Sequence, residues 1–212
     1  MAQRLCSVSR SLTASSARVF YDDAEHVYRL DGVPVPSVTQ ALTLTGRIDT
    51  SWFTPEAAER GRRIHTYAEL LDTRTIDGVS FVRDREIPDA IGGYVEAYRA
   101  MRRDVRPVYD AIEQACWHPQ LRYGGRPDRG CRRIFGGPGT LELKSGGEAD
   151  WHGVQLAGYE RLRRRGGRWV CYLQANGRYK IRQCRAADDH HEFLRALRDV
   201  WARWPQPLAQ GA

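Results

Sequence analysis

Apolar and polar residues alternate with the period of a β-strand in several short segments of the chain. Residues 19–21 and 26–30 alternate in this way around an acidic turn, which is typical of a small hairpin. Residues 169–174 and 179–184 flank Asn176-Gly177, the strongest short-range hairpin signal in the sequence. Between these two hairpins, three further strands are predicted over residues 108–117, 121–131 and 140–145.

Other segments carry apolar residues at helical spacing, and three of them begin with a recognisable signal. Ser37 and Gln40 form a capping-box pattern at the start of a short helix. Thr54 and Pro55 combine a cap residue with a proline in the first turn. Asp188 is expected to cap the last helix through its carboxylate. The remaining predicted bounds are about residue 71 for the end of the second helix, 88–103 for the third and 149–165 for the fourth.

The order of these elements predicts the fold class. Helices, three strands, a helix, a hairpin and a helix favour a mixed α/β (α+β) protein, with one domain built on a central mixed sheet flanked by helices. We expect this domain to span residues 18–204, between tails at 1–17 and 205–212. The N-terminal tail is rich in Ser and Arg and has no acidic residue before Asp22, which fits either a disordered tail or an organellar transit peptide.

Composition restricts the class of protein and its surroundings. No apolar run approaches the roughly 18 residues of a membrane-spanning helix, so we expect no membrane segment. The five cysteines are scattered and form no CxxC pair, which argues against a disulfide framework or a zinc knuckle. They favour a reducing cytoplasm, in a bacterium or a phage-infected host.

The charge of the chain favours an anionic partner. There are 33 basic and 26 acidic side chains, a net charge of +7. Residues 122–165 alone contain ten basic and five acidic side chains, so most of the excess lies there. The basic residues are arginines except Lys144 and Lys180. Arginine suits phosphate recognition, although a GC-rich genome explains the same bias equally well.

The sharpest local feature joins two acids and one of these lysines. Asp128 lies in Gly125-Arg-Pro-Asp128, and after a glycine turn comes Glu142-Leu143-Lys144. Residues two apart on a strand share a face, so Glu142 and Lys144 project together and Leu143 projects to the opposite side. Two carboxylates that meet across a hairpin form the oxygen-rich site that Mg²⁺ prefers. A metal ion beside an ammonium group suits phosphodiester hydrolysis; the alternative is three ordinary surface side chains.

A series of short motifs resembles the PD-(D/E)XK nuclease superfamily, and in particular its RecB-like branch that includes bacteriophage exonucleases. The motifs are Gly125-Arg-Pro-Asp128, Glu142-Leu-Lys144-Ser145, Gln155-Leu-Ala-Gly-Tyr159 and, upstream, Arg60-Gly-Arg-Arg-Ile-His65. The family core of helix, three strands, helix and strand follows the predicted order over about two thirds of the chain. The resemblance therefore implies a restriction-endonuclease-like domain.

The resemblance also implies a metal centre. Asp128 and Glu142 would hold Mg²⁺, with Mn²⁺ as a substitute, and the Leu143 carbonyl and His65 would be further ligands. Lys144 would orient the attacking water and stabilise the developing charge. Taken alone, His65 fits a packed helix residue as well as a ligand. Some branches of the superfamily carry a four-cysteine iron–sulfur cluster, and none is expected here because no cysteines bracket the motifs.

Three more residues extend the predicted site. Gln155 and Tyr159 match the family's QxxxY element, and their four-residue spacing places them on one face of a helix. They would contact either Lys144 or the DNA backbone, unless they are only the polar flank of a packed helix. Glu113, on a preceding strand, is either a further acid of the site or an edge carboxylate.

Side chains near the motifs are expected to contact DNA. The arginines would follow phosphates without reading sequence, and Trp151 would either stack on an unpaired base or pack on the sheet. The predicted contacts are Arg126, Arg129, Ser145, Trp151, Arg161 and Arg164.

These patterns, with the resemblance, predict a metal-dependent DNA nuclease, and more narrowly an exonuclease of phage recombination or DNA processing. A recombination or single-strand annealing protein is a candidate partner, and an oligomer is compatible with the sequence. The short chain leaves little room for a separate domain that reads base edges, which favours an exonuclease. The alternatives are a structure-specific or restriction-type endonuclease and a catalytically silent DNA-binding protein on the same fold.

Overall fold

The structure is a computed structural model that describes most of the chain between residues 19 and 204. The described residues are 19–22, 27–51, 53–76, 79–80, 83, 86–163 and 166–204. The predicted tails at 1–17 and 205–212 lie outside these ranges, as do His26 and Arg164. Among the described helices, none is both long and apolar enough to cross a membrane.

The described residues form twelve strands and five helices, and the strands are arranged in four sheets. In chain order they are β1 Val19–Asp22, β2 Val27–Leu30, β3 Val33–Val35, α1 Val38–Leu44, α2 Pro55–Thr73, β4 Thr75–Ile76, β5 Val79–Ser80, α3 Asp89–Val105, β6 Val108–Ile112, β7 Cys116–His118, β8 Tyr123–Gly125, β9 Arg129–Ile134, β10 Gly137–Lys144, α4 Trp151–Arg163, β11 Gly167–Leu173, β12 Tyr179–Gln183 and α5 Asp188–Trp201.

The largest sheet has five strands in the order β12-β11-β10-β9-β6. Strands β10 and β11 are parallel, with Leu141 opposite Trp169, and every other pair in this sheet is antiparallel. A parallel pair needs a crossover connection, and helix α4 supplies it. The prediction of a mixed α+β fold with a central mixed sheet flanked by helices is confirmed.

Two apolar cores lie on the two faces of this sheet. Leu141 and Leu143 of β10 are fully buried in one core, together with side chains of α2 and α3. Val170 and Tyr172 of β11 belong to the other core, with side chains of α1, α4 and α5. The alternation predicted for β10 therefore holds, because Leu143 packs on the face opposite to Glu142.

The bounds predicted for two long strands, residues 108–117 and 121–131, are wrong, because each segment is divided into two shorter strands. The first divides at Glu113, whose φ of 46° is left-handed and ends the extended backbone of β6. The second divides into β8 and β9, and β7 and β8 leave the central sheet to form a separate two-stranded ladder. The turn at Glu113 is held by its backbone N–H, which donates to the Asp128 carbonyl at 2.9 Å.

Most of the predicted helix starts agree with the structure. Ser37 and Gln40 form the expected capping box, and the Thr54 side chain accepts from the backbone N–H of Ala57. Asp188 is not the cap of the last helix: Ala187 occupies that position without a side-chain hydrogen bond, and Asp188 is already helical. An acid in the first turn still complements the helix dipole, which explains why the sequence signal resembles a cap.

Candidate active site

Five predicted or candidate site residues meet at one end of the central sheet. Asp128 directly precedes β9, while Glu142 and Lys144 lie at the end of β10. His65 comes from the middle of α2, and Glu113 from the turn after β6. The antiparallel pairing of β9 with β10, which places Arg129 opposite Leu141, brings the two main acids together.

Backbone hydrogen bonds fix the two acids that the sequence motifs singled out. The backbone N–H of Leu143 donates to Asp128 Oδ2 at 2.6 Å. The backbone N–H of Asp128 lies 3.5 Å from Glu142 Oε2. Both residues are almost fully buried, with 4% of the surface of each exposed. Their carboxylates therefore have little freedom to move.

Three groups lie close enough to share one metal ion. His65 Nδ1 lies 3.2 Å from Asp128 Oδ1 and 3.6 Å from a Glu113 carboxylate oxygen. One ligand atom from each residue lies within 4.8 Å of the other two. Glu142 borders this group through its contact with Asp128. Carboxylate oxygens with one imidazole are a donor set for Mg²⁺ or Mn²⁺, so these residues fit a divalent cation.

Burial and mutual repulsion perturb the acids of this cluster. Burial, and then the charge of Asp128, raise the pKa of Glu142 to about 7 and also raise the pKa of Glu113. Burial acts against the ionised form of Asp128 as well, but His65 and Lys144 outweigh it and hold the pKa of Asp128 below its usual value. Several carboxylates in a dry site repel each other, and a cation among them would relieve that repulsion.

His65 is the positive charge that these acids attract. Burial alone would lower the pKa of His65, but the nearby carboxylates of Asp128 and Glu113 outweigh it and raise that pKa to about 10. The same imidazole nitrogen contacts the carboxylates of both acids. A position that favours a cation this strongly is also where a metal ion would be stabilised.

Lys144 is held by polar groups on two sides. Its Nζ donates to Glu142 Oε1 at 3.2 Å and to Gln155 Oε1 at 2.9 Å. The Gln155 side chain in turn donates to the Tyr159 hydroxyl at 3.3 Å. Of the two contacts predicted for Gln155, the structure therefore contains the one with Lys144. The Lys144 ammonium also lies 5.1 Å from the centre of the Trp151 ring.

The predicted DNA contacts do not all lie on an open surface. Arg129 is wrong as a DNA contact, because its side chain is completely buried and pairs with Asp72 and Glu113. The Arg126 side chain is 34% exposed and pairs with Glu113 at 3.4 Å. Trp151, the first residue of α4, is partly buried against one of the two apolar cores, which agrees with the packing interpretation.

Two further predicted contacts, Ser145 and Arg161, are half-buried. Arg164 is outside the described residues. Among the predicted DNA contacts that the structure describes, Arg126 is the partly exposed arginine closest in sequence to Asp128.

Two residues of the site were missed from the sequence. Asp72 lies seven residues after His65, which places both on one face of α2, and this spacing is the signal that could have found it. Thr39, in α1, lies 3.5 Å from the Gln155 amide nitrogen. No local pattern connects Thr39 with Gln155, since the two helices meet only through tertiary packing.

Comparisons with known proteins assign no family to this chain. No family model matches the sequence, and no curated protein matches it. Among solved structures, the crystal structure of SSO0001 is similar to this chain. The match covers 80% of this chain and 85% of the SSO0001 chain, with 15% sequence identity and a TM-score of 0.37. That similarity is too low to support a conclusion about either protein from the other.

Proposed function

We propose that this protein is a divalent-metal-dependent DNA nuclease that hydrolyses phosphodiester bonds, and more narrowly an exonuclease. The observation that carries the proposal is the position of the Lys144 ammonium beside a buried acidic cluster at one end of the central sheet. Buried carboxylates repel phosphate, so a protein that only binds DNA gains nothing from them. This favours an enzyme over the catalytically silent alternative.

His65, Glu113, Asp128 and Glu142 are the side chains that would hold the metal ion. When bound, such an ion lowers the pKa of a coordinated water and stabilises negative charge in the transition state. The chain itself keeps the acids in place, since Asp128 is fixed by the Leu143 N–H and by His65. Rigid ligands of this kind lose little entropy when an ion binds.

Lys144 would act on the water or on the phosphate. An ammonium group has three N–H donors. Within the described part of the chain, Glu142 and Gln155 accept from it, which leaves a donor for a water or a phosphate oxygen. Tyr159 acts through Gln155, because its buried hydroxyl contacts the amide and not the ammonium.

The remaining predictions support the narrower proposal. The positive excess in residues 122–165 suits phosphate contacts without sequence readout, and the resemblance to phage exonucleases points the same way. A role in phage recombination or DNA processing, with an annealing protein as partner, belongs to the same proposal. So does the bacterial cytoplasm as compartment; the four described cysteines, Cys116, Cys131, Cys171 and Cys184, are free thiols.

The proposal is tested by digesting end-labelled linear duplex DNA beside covalently closed circles, with and without Mg²⁺. We expect the linear DNA to be degraded to small products only with the metal, and the circles to survive. Glu142→Gln should reduce cleavage at least about 10²-fold, because it removes charge at the metal site. Glu192→Gln is the matched control, since Glu192 lies on α5 and pairs with Arg47 and Arg195.

Each alternative gives a different result. Full activity in EDTA, or from Glu142→Gln, would exclude this site as the catalytic centre. Discrete bands from the circular DNA would favour the endonuclease alternative. DNA binding without cleavage, whatever divalent metal is added, would favour the silent DNA-binding protein.

A further inference from the structure

Arg129 is the largest side chain that is completely buried in the described part of the chain. It is the first residue of β9 and directly follows Asp128. Its guanidinium contacts the rings of Tyr98 and Tyr109, 5.6 and 5.8 Å from their centres. Burying a charge is costly, and an apolar side chain of similar volume is often at least as stabilising. The contacts of the guanidinium indicate what the charge does there.

One side of the guanidinium faces the acidic cluster. Its Nη1 donates to the backbone carbonyl of Asp128 at 2.7 Å and to Glu113 Oε1 at 3.3 Å. The same carbonyl accepts the backbone N–H of Glu113 at 2.9 Å. Glu113 has a left-handed φ of 46°, a conformation that a non-glycine residue keeps only when its surroundings hold it. Arg129 is one of the groups that hold it.

The other side of the guanidinium is anchored by two helices. Its Nε donates to Asp72 Oδ2 of α2 at 2.6 Å and lies 3.2 Å from the Tyr98 hydroxyl of α3. That hydroxyl also donates to Asp72 Oδ2 at 2.6 Å. Arg102 of α3 pairs with the second oxygen of Asp72 at 3.2 Å. The Asp72 carboxylate therefore orients the guanidinium from behind.

We propose that Arg129, anchored by Asp72 and Tyr98, is a positioning residue of the cation site that fixes the Glu113 carboxylate and the backbone carrying Asp128. The inference rests on the proposed function in one respect, namely that this cluster holds a divalent metal ion. A lysine is not expected to replace the arginine, because its compact ammonium lacks the rigid planar set of donors with which the guanidinium reaches Asp72, Glu113 and the Asp128 carbonyl together.

The inference is tested by measuring Mn²⁺ binding to the full chain by calorimetry and electron paramagnetic resonance at one pH. Arg129→Lys keeps the positive charge but loses the planar set of N–H donors of the guanidinium. We expect Mn²⁺ to bind about 10–100-fold more weakly to this variant, as is typical when a residue that supports a metal ligand is changed. Arg168→Lys is the matched control. Arg168 is also buried and pairs with Glu160 and Asp189, in the layer of α4 and α5.

Thermal denaturation separates this role from a structural one. We expect both variants to lose stability, but only Arg129→Lys to lose Mn²⁺ affinity. A folded Arg129→Lys with wild-type affinity would overturn the inference. If that variant does not fold, Asp72→Asn replaces it, because it keeps the shape of the anchor and removes its charge; unchanged Mn²⁺ affinity in Asp72→Asn would overturn the inference equally.

A double variant shows whether Arg129 acts through its neighbour. If it does, adding Arg129→Lys to Glu113→Gln should weaken Mn²⁺ binding much less than Arg129→Lys does alone. Fully additive losses would contradict the inference. A protein whose Mn²⁺ binding depends on Arg129 but which cleaves no DNA would keep this inference and reject the nuclease. A protein that cleaves DNA but has the same Mn²⁺ affinity with and without Arg129→Lys would support the nuclease and overturn this inference. A chain that binds no Mn²⁺ would also overturn the inference.

Discussion

Lys144 offers the most direct test of the proposed chemistry, because its ammonium is the group to which the proposal assigns the stabilisation of negative charge on the phosphate. Its side chain is 17% exposed, so the charge acts in a partly buried site. Two unit charges about 4 Å apart interact by about 4 kcal/mol at an effective dielectric constant of about 20. The phosphate oxygens gain only part of a unit charge in the transition state. We therefore expect Lys144→Ala to cost about 3 kcal/mol, or roughly 10²-fold in rate.

The assay is single-turnover cleavage of linear duplex DNA at saturating Mg²⁺, so that weaker metal binding does not contribute. Lys180→Ala is the matched control, since Lys180 is the other lysine of the chain, is exposed and pairs with Glu148. Lys144→Arg should recover less than about tenfold, because the Gln155 oxygen at 2.9 Å and the Trp151 ring enclose a compact ammonium. More than a tenth of wild-type activity in Lys144→Ala, or near-complete rescue by arginine, would refute this reasoning.

Two further predictions concern histidines. His65→Ala should raise the metal concentration needed for cleavage and change the Mg²⁺/Mn²⁺ preference, since imidazole suits Mn²⁺ better than Mg²⁺. Titrating cleavage with each metal checks this prediction. A loss of thermal stability with an unchanged metal response would show that His65 is only packed. Burial, and then the charge of Lys144, lower the pKa of His152 to about 3. The unfolded chain binds this proton near pH 6.5 and the folded protein does not, so stability falls as the pH drops below about 6.5. Between pH 7.5 and 5.5 the wild-type Tm should fall roughly 2–4 °C more than that of His152→Gln, allowing for partial solvent screening; equal falls would contradict the prediction.

Local signals in the sequence predicted the elements well where the interaction lies within a few residues. The hydrogen bonds of the Ser37 capping box and the turn at Asn176-Gly177 each involve residues only a few positions apart, and both features occur in the structure. The division of the predicted strands at Glu113 was missed. Its left-handed backbone is stabilised by the Asp128 carbonyl, fifteen residues away, and no local pattern contains that contact.

The same distinction holds for the candidate site. The sequence by itself determined which side chains share a face, because strand and helix periods are local: Glu142 with Lys144, and Gln155 with Tyr159. Only the tertiary structure decided which faces meet.

Tertiary packing brought α2 against the sheet, so that His65 contacts Asp128 while Asp72 reaches Arg129. It also turned Arg129 from an expected phosphate contact into a buried support for Glu113. Charge on an arginine is a property of the residue, whereas its solvation and its partners depend on elements far apart in the chain. For that reason the sequence could supply the acids and the lysine, and only the fold could supply their pKa values and their support.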